Sequence, residues 1–250
     1  MQSIEVEKIG MYTGHRDCIY GLLQGIIPQQ FFSSGADGLV VAWDIEKPDQ
    51  GELVAKVTNS VYAMALDPIN QRLWIGQNFQ GVHLIDCITR KEIRSVAITD
   101  SYIFSILHHK GFLYCACGDG SVVVLDDTQL GLVGRLKFSE KSARALAVSP
   151  DGMHLAIGYS DNYIRIVSLS DGKLLMEIAA HDNSIFTLAY SPDGKQLLSG
   201  SRDARLKVWN VNAGYALQQS IVAHMYAIND VAYSPDGRYF VTCSMDKSIK

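Results

Sequence analysis

His181 to Asn210 reads HDNSIFTLAYSPDGKQLLSGSRDARLKVWN, and this stretch decides the fold class. Ile185 to Tyr190 is a short alternating apolar run, Ser191-Pro192-Asp193-Gly194 is a turn, and Gln196 to Gly200 is a second alternating run. The order is strand, tight turn, strand. A polar turn, Arg202-Asp203-Ala204, then leads into a third strand ending at Trp209-Asn210. Outward from here the same run Ser-Pro-Asp-Gly appears at Ser149 to Gly152 and at Ser234 to Gly237, with starts 42 and 43 residues apart, and a weaker copy stands at Asp67-Pro68-Ile69-Asn70. Third-strand endings recur at Trp43-Asp44, Ile85-Asp86, Leu125-Asp126 and Val167-Ser168 before Trp209-Asn210, and their second residues are 42, 40, 42 and 42 apart. Ala36-Asp37-Gly38 repeats the polar turn, and Lys91 to Ala97 and Lys173 to Ile178 supply a fourth run. A period near forty with four short strands per repeat predicts an all-β repeat architecture.

The composition agrees with a packed domain. Of the 250 residues, 48% are hydrophobic and 19% charged, enough to bury a sizeable core. The formal net charge of −4 and a pI near 5.9 offer no general attraction to phosphate backbones or anionic lipid, so nucleic acid and membrane surfaces are not expected partners. No apolar run is long enough for a spanning helix, and MQSIEVEKIG lacks a basic flank followed by an apolar stretch, so a cytoplasmic chain is expected. The cysteines, Cys18, Cys87, Cys115, Cys117 and Cys243, lack paired zinc-site spacing and are read as reduced and buried, with Cys115 and Cys117 on one strand face.

Gly14-His15 with Trp43-Asp44, His181 with Trp209-Asn210, and His224 followed by Lys247-Ser248-Ile249-Lys250 resemble the WD-repeat family, and both complete His-to-Trp separations are 28 residues. The resemblance implies a β-propeller, four-stranded antiparallel blades round a central channel with strand a innermost and strand d outermost. One blade cannot bury its own faces, so each needs neighbours. The expectation is a single propeller over residues 1–250, with repeats over about 14–57, 58–97, 98–137, 138–179, 180–222 and an incomplete 223–250. Residues 3–9, where Ile4 and Val6 alternate with Glu5 and Glu7, are expected to form the outer strand that closes the last blade. The sixth repeat stops about two residues before its expected Trp-Asp, so the ring has six blades with the last cut short or a further blade follows. Seven, the commonest number in the family, is the expectation taken.

The resemblance also implies a hydrogen-bonded chain of loop His, strand-b Ser or Thr, turn Asp and strand-c Trp. It maps to His15, Ser33, Asp37 and Trp43, to His181, Ser199, Asp203 and Trp209, and to His224, Thr242 and Asp246 without a Trp. These sets are read as structural rather than as Ser-His-Asp catalytic triads, because they recur at blade period and the indole N–H gives the hydroxyl a partner. Blades two to four carry Leu84-Ile85-Asp86, Val124-Leu125-Asp126 and Ile166-Val167-Ser168 instead, with no Gly-His before them, and apolar packing is expected to hold them.

Aligning the inner strands on Ile19, Val61, Ile103, Ala143, Ile185 and Ile228 places Tyr20, Tyr62, Phe104, Arg144, Phe186 and Asn229 at one equivalent position. In the family's arrangement this position lies near the channel mouth, and aromatic faces with an Arg suit the grip of an inserted side chain such as Arg or Lys. These six are the candidate peptide-binding residues, and the competing reading is that they pack between adjacent blades. His108-His109-Lys110, placed by the alignment in the turn after strand a, is not read as a metal site, because adjacent strand residues face opposite ways. No Gly-x-Ser-x-Gly, phosphate-gripping Gly-rich loop or His-Glu-x-x-His is present. The expectation is a non-catalytic scaffold without metal or cofactor, monomeric or within a hetero-complex, that binds a partner protein or short peptide at the top face. The alternative is a propeller enzyme, a hydrolase or lyase, with its site at the channel mouth.

Overall fold

Six antiparallel sheets account for nearly all of the secondary structure in the computed structural model, which describes residues 7–250. Contacts divide the chain into two compact units, one running through Ala97 and the other Ile98–Lys250.

The first unit holds two four-stranded sheets in sequential order, β1 (Ile19–Gln24), β2 (Gln30–Gly35), β3 (Leu39–Asp44) and β4 (Lys47–Lys56), then β5 (Val61–Asp67), β6 (Arg72–Gln77), β7 (Gly81–Asp86) and β8 (Glu92–Ala97). Residues 3–6 of the expected closing strand lie outside the described residues, and Glu7 to Ile9 carry no strand. Phe32, Val40, Val61, Leu73, Ile75 and Ile85 form the core between the two sheets.

The second unit has three four-stranded sheets: β9 (Ile103–His109) to β12 (Leu132–Lys137) through β10 (Phe112–Cys117) and β11 (Ser121–Asp126); β13 (Ala143–Val148) to β16 (Leu174–Ala179) through β14 (His154–Tyr159) and β15 (Tyr163–Ser168); and β17 (Ile185–Tyr190) to β20 (Ala216–Val222) through β18 (Gln196–Ser201) and β19 (Arg205–Asn210). A two-stranded sheet, β21 (Ile228–Tyr233) and β22 (Phe240–Ser244), completes it, with Ile249 bridged to Cys243. The fold is all-β, with one short 3-10 turn at Val211–Ala213.

Alternation explains these elements. Along β5 buried and half-buried residues alternate: Val61, Ala63 and Ala65 are buried, and half-buried Met64 and Leu66 pack against the core that Val61 joins. Second and third strands are buried on both faces and read as continuous apolar runs, as in Val122 to Leu125. The Ser-Pro-Asp-Gly turns are closed locally. At Ser191 the hydroxyl accepts the Gln196 N–H at 2.9 Å and donates to Asp193 at 2.7 Å, and Gly194 takes φ +71°, a conformation that costs glycine little. Neighbouring sheets share cores, such as Ala156, Ile164, Ile185 and Leu197 with Trp209. Among the described residues no helix is long and apolar enough to cross a membrane.

Candidate functional site

All six aligned positions are β-bulges. In every sheet the register between first and second strands shifts at one place: between Ile19 and Gly21, Val61 and Ala63, Ile103 and Ser105, Ala143 and Ala145, Ile185 and Thr187, and Ile228 and Asp230. The skipped residues are Tyr20, Tyr62, Phe104, Arg144, Phe186 and Asn229. A bulge leaves its extra residue out of the pairing and re-aims its side chain, which is why a large ring here does not occupy the interior slot of its strand.

The bulge residues meet across adjacent sheets. In the first unit the Tyr20 and Tyr62 rings lie 4.3 Å apart at 60°, and Tyr20 is 50% exposed; burial and then Tyr62 raise its phenol pKa. In the second unit the Arg144 guanidinium stands 4.1 Å from the Phe104 ring centre and 4.8 Å from that of Phe186, while Nε donates to Ser160 Oγ at 2.8 Å. Tyr102 stacks on Phe104 at 5.4 Å. Phe104, Arg144 and Phe186 are half-buried and Asn229 is exposed. The rings therefore touch neighbours between sheets and still reach solvent. Arg144 itself occupies a face of each phenylalanine, so those two faces are not open to an incoming Arg or Lys.

The three histidine sets are hydrogen-bonded. His15 Nδ1 pairs with Asp37 Oδ1 at 3.0 Å and Nε2 with Ser33 Oγ at 2.7 Å, and Trp43 Nε1 donates to the same hydroxyl at 2.7 Å. The corresponding distances are 2.9, 2.7 and 2.9 Å for His181 with Asp203, His181 with Ser199, and Trp209 with Ser199. His224 pairs with Asp246 at 3.0 Å and with Thr242 at 2.8 Å. Ser33 and Ser199 are buried. Asp37, Asp203 and Asp246 are all held below the usual carboxylate range. For Asp203 burial pushes the pKa up, and the N–H groups of Asp182 and Arg205 together with His181 outweigh it.

The sheets expected to hold by apolar packing alone have polar networks of their own. Buried His83 on β7 bonds Glu92 at 2.7 Å and Gln77 at 2.8 Å. Buried Arg165 on β15 pairs with Asp161 at 2.8 Å and Glu177 at 2.9 Å, and lies 4.6 Å from the Tyr159 ring centre. Arg135 reaches Ser121 Oγ at 2.8 Å. A polar residue at the third place of the third strand, as in His83, Arg165 and Lys207, was the available signal, and the missing Trp obscured it.

His108 and His109 end strand β9, and of the three residues expected in the turn only Lys110 lies there, with Gly111. His108 Nε2 pairs with Asp127 at 2.8 Å. No group of three potential metal-ligating side chains occurs among the described residues. All five cysteines are free; Cys115 and Cys117 are buried, with burial pushing Cys117 up to about 12, whereas Cys18 is exposed and Cys87 and Cys243 are half-buried, contrary to the expectation for all five.

Residues 172–210 and 216–250 match the family model described as WD domain, G-beta repeat, and residues 132–190 match that of the anaphase-promoting complex subunit 4 WD40 domain. These matches bear out the resemblance to the WD-repeat family over residues 132–210 and 216–250. Each WD match covers the last strand of one blade and strands of the next, β16 to β19 in the first case, so the sequence repeat runs one strand out of step with the sheet. Similar curated WD-repeat relatives include protein groucho of Drosophila melanogaster, 26% identical over 63% of this chain and 22% of the relative. Striatin-3 of Homo sapiens is 23% identical over 80% of this chain and 27% of its own length. WD repeat-containing protein SL1-17 of Schistosoma mansoni is 23% identical over 58% of this chain and 48% of its own length. The WD-repeat chain thus spans less than half the length of each of these relatives.

Proposed function

We propose that this WD-repeat chain is a non-catalytic interaction scaffold whose bulge residues contact a partner protein or short peptide. The observation that carries the reading is the recurrence of one bulge at the same place in all six sheets, filled by Tyr20, Tyr62, Phe104, Arg144, Phe186 and Asn229. Bulges that re-aim side chains are common at functional edges, and Tyr and Arg are the residue types most enriched at binding hot spots. Arg144, held between two phenylalanine rings, adds a cation whose position is fixed before any partner arrives, which lowers the ordering cost of binding. One matched family model is named for a subunit of a protein complex, which fits a role exercised through protein contact. The same reading takes the chain to act in the cytoplasm, as a monomer or within a hetero-complex, without metal or cofactor.

The test is affinity capture from the native cell with wild type and the Phe104→Ala/Phe186→Ala double variant, followed by mass spectrometry. Partners retained by wild type are expected to be lost or strongly depleted with the variant. An unchanged partner set, with the variant shown folded by circular dichroism, removes the bulge residues from the binding role.

A further inference from the structure

The opposite end of the third and fourth sheets holds a cleft of about 460 Å³ that the bulge residues do not touch. Phe104 is the second residue of β9 and His109 the last, so the two places are about 17 Å apart along the strand at about 3.3 Å per residue. Tight reversal through Lys110-Gly111, both with positive φ, brings β9 straight back into β10 and leaves His109 and Lys110 beside the turn of the next sheet. A Cβ on Gly152 of that turn would stand 2.7 Å from Lys110 Nζ and 3.0 Å from His109 Nε2, so a side chain there would crowd both nitrogens.

Two features of the cleft point to its occupant. Every charged or titratable basic side chain in its lining, His109, Lys110 and His154, is of the kind that pairs with an anion, and no carboxylate lines it, in a chain whose net charge is −4. The Nε2 atom of His109 is buried and has no hydrogen-bond partner. Leaving a buried polar atom unpaired destabilises the fold, and a ligand oxygen removes that penalty. Beside these groups Phe112, Met153 and Leu175 are 38%, 57% and 54% exposed, an apolar wall too large for a simple anion to cover.

We propose that this cleft is a second docking site, taking an extended peptide segment in which an Asp or Glu carboxylate lies next to a bulky apolar side chain. The carboxylate accepts from His109 Nε2 and Lys110 Nζ, and the apolar side chain covers Met153 and Leu175. Peptide is favoured over nucleic acid because the apolar wall gives a sugar-phosphate chain nothing to pair with.

A phage-displayed random dodecapeptide library selected on the whole chain tests this. Expected winners pair Asp or Glu with Leu, Ile or Phe. As synthetic peptides they lose tenfold or more in affinity to Lys110→Glu and to Met153→Glu, lose as much when their acids become amides, and keep their affinity for Phe186→Ala. Lys110 and Met153 are exposed, and circular dichroism with a thermal midpoint reports whether each variant is folded. Recovery of no peptide sensitive to both variants, winners without carboxylates, or displacement by a twelve-nucleotide single strand at equal concentration overturns the proposal.

Discussion

Ser199 Oγ has its proton and one of its two lone pairs committed: it accepts from Trp209 Nε1 at 2.9 Å and donates to His181 Nε2 at 2.7 Å. That assignment follows from Asp203, which as a carboxylate only accepts, so His181 Nδ1 carries the ring proton and the imidazole is neutral. Burial lowers the His181 pKa and outweighs the opposing pull of Asp203. Both His181 and Asp203 thus have folded values below their unfolded ones, and the unfolded chain binds more protons as the solution is acidified. The histidine contribution is fully present above about pH 6.5 and fades as pH falls through the folded value; that of the aspartate follows the same course below about pH 3.9. Urea unfolding is expected to give lower stability at pH 5.5 than at pH 7.5, with a slope of at most about 1.4 kcal/mol per pH unit from His181. His181→Gln flattens that dependence. An unchanged slope in the variant contradicts a buried neutral histidine at this place.

Second-strand glycines leave no room for a Cβ against the neighbouring sheet. A Cβ on Gly200 of β18 would stand 2.7 Å from both Ile228 Cγ2 and Thr187 Cγ2, and one on Gly158 of β14 would stand 2.7 Å from Ile185 Cγ2. Isoleucine at the start of the next first strand fills the space that glycine leaves, and both isoleucines are fully buried. Gly200→Ala is expected to cost about 1–3 kcal/mol through overpacking, read as a lower denaturation midpoint at unchanged m-value. A neutral result means that the fifth and sixth sheets separate without penalty. At this scale the sequence was readable wherever period-two alternation is strict: the run Ile185 to Tyr190 is β17, residue for residue. The bulges were not readable as bulges, since one extra residue in six looks like ordinary alternation. Their trace was an aromatic residue followed by a small one, as in Tyr62-Ala63 and Phe186-Thr187. The networks of His83 and Arg165 were not legible because an aliphatic residue replaces Trp two places after each, although both lie on the repeat.

Across the molecule, the forty-residue recurrence was enough for the all-β class and the resemblance to the family, because the pattern recurs once per sheet and its turn residues are local. Division into two compact units was not legible, since contact density between successive sheets leaves no mark on the period. Nor was the seat of Arg144 between Phe104 and Phe186, which joins residues about forty positions apart on three separate sheets. That cluster is where an interaction role is tested most directly. A photo-crosslinking phenylalanine analogue placed at Phe186, and in a parallel sample at Ile69, an 88% exposed turn residue, is irradiated in the native cell and adducts are identified by mass spectrometry. The predicted result is a discrete protein or peptide adduct from position 186 that position 69 does not give. Equal adducts from both positions, or none from 186 while 69 reacts, contradicts a partner-binding role for the bulge residues.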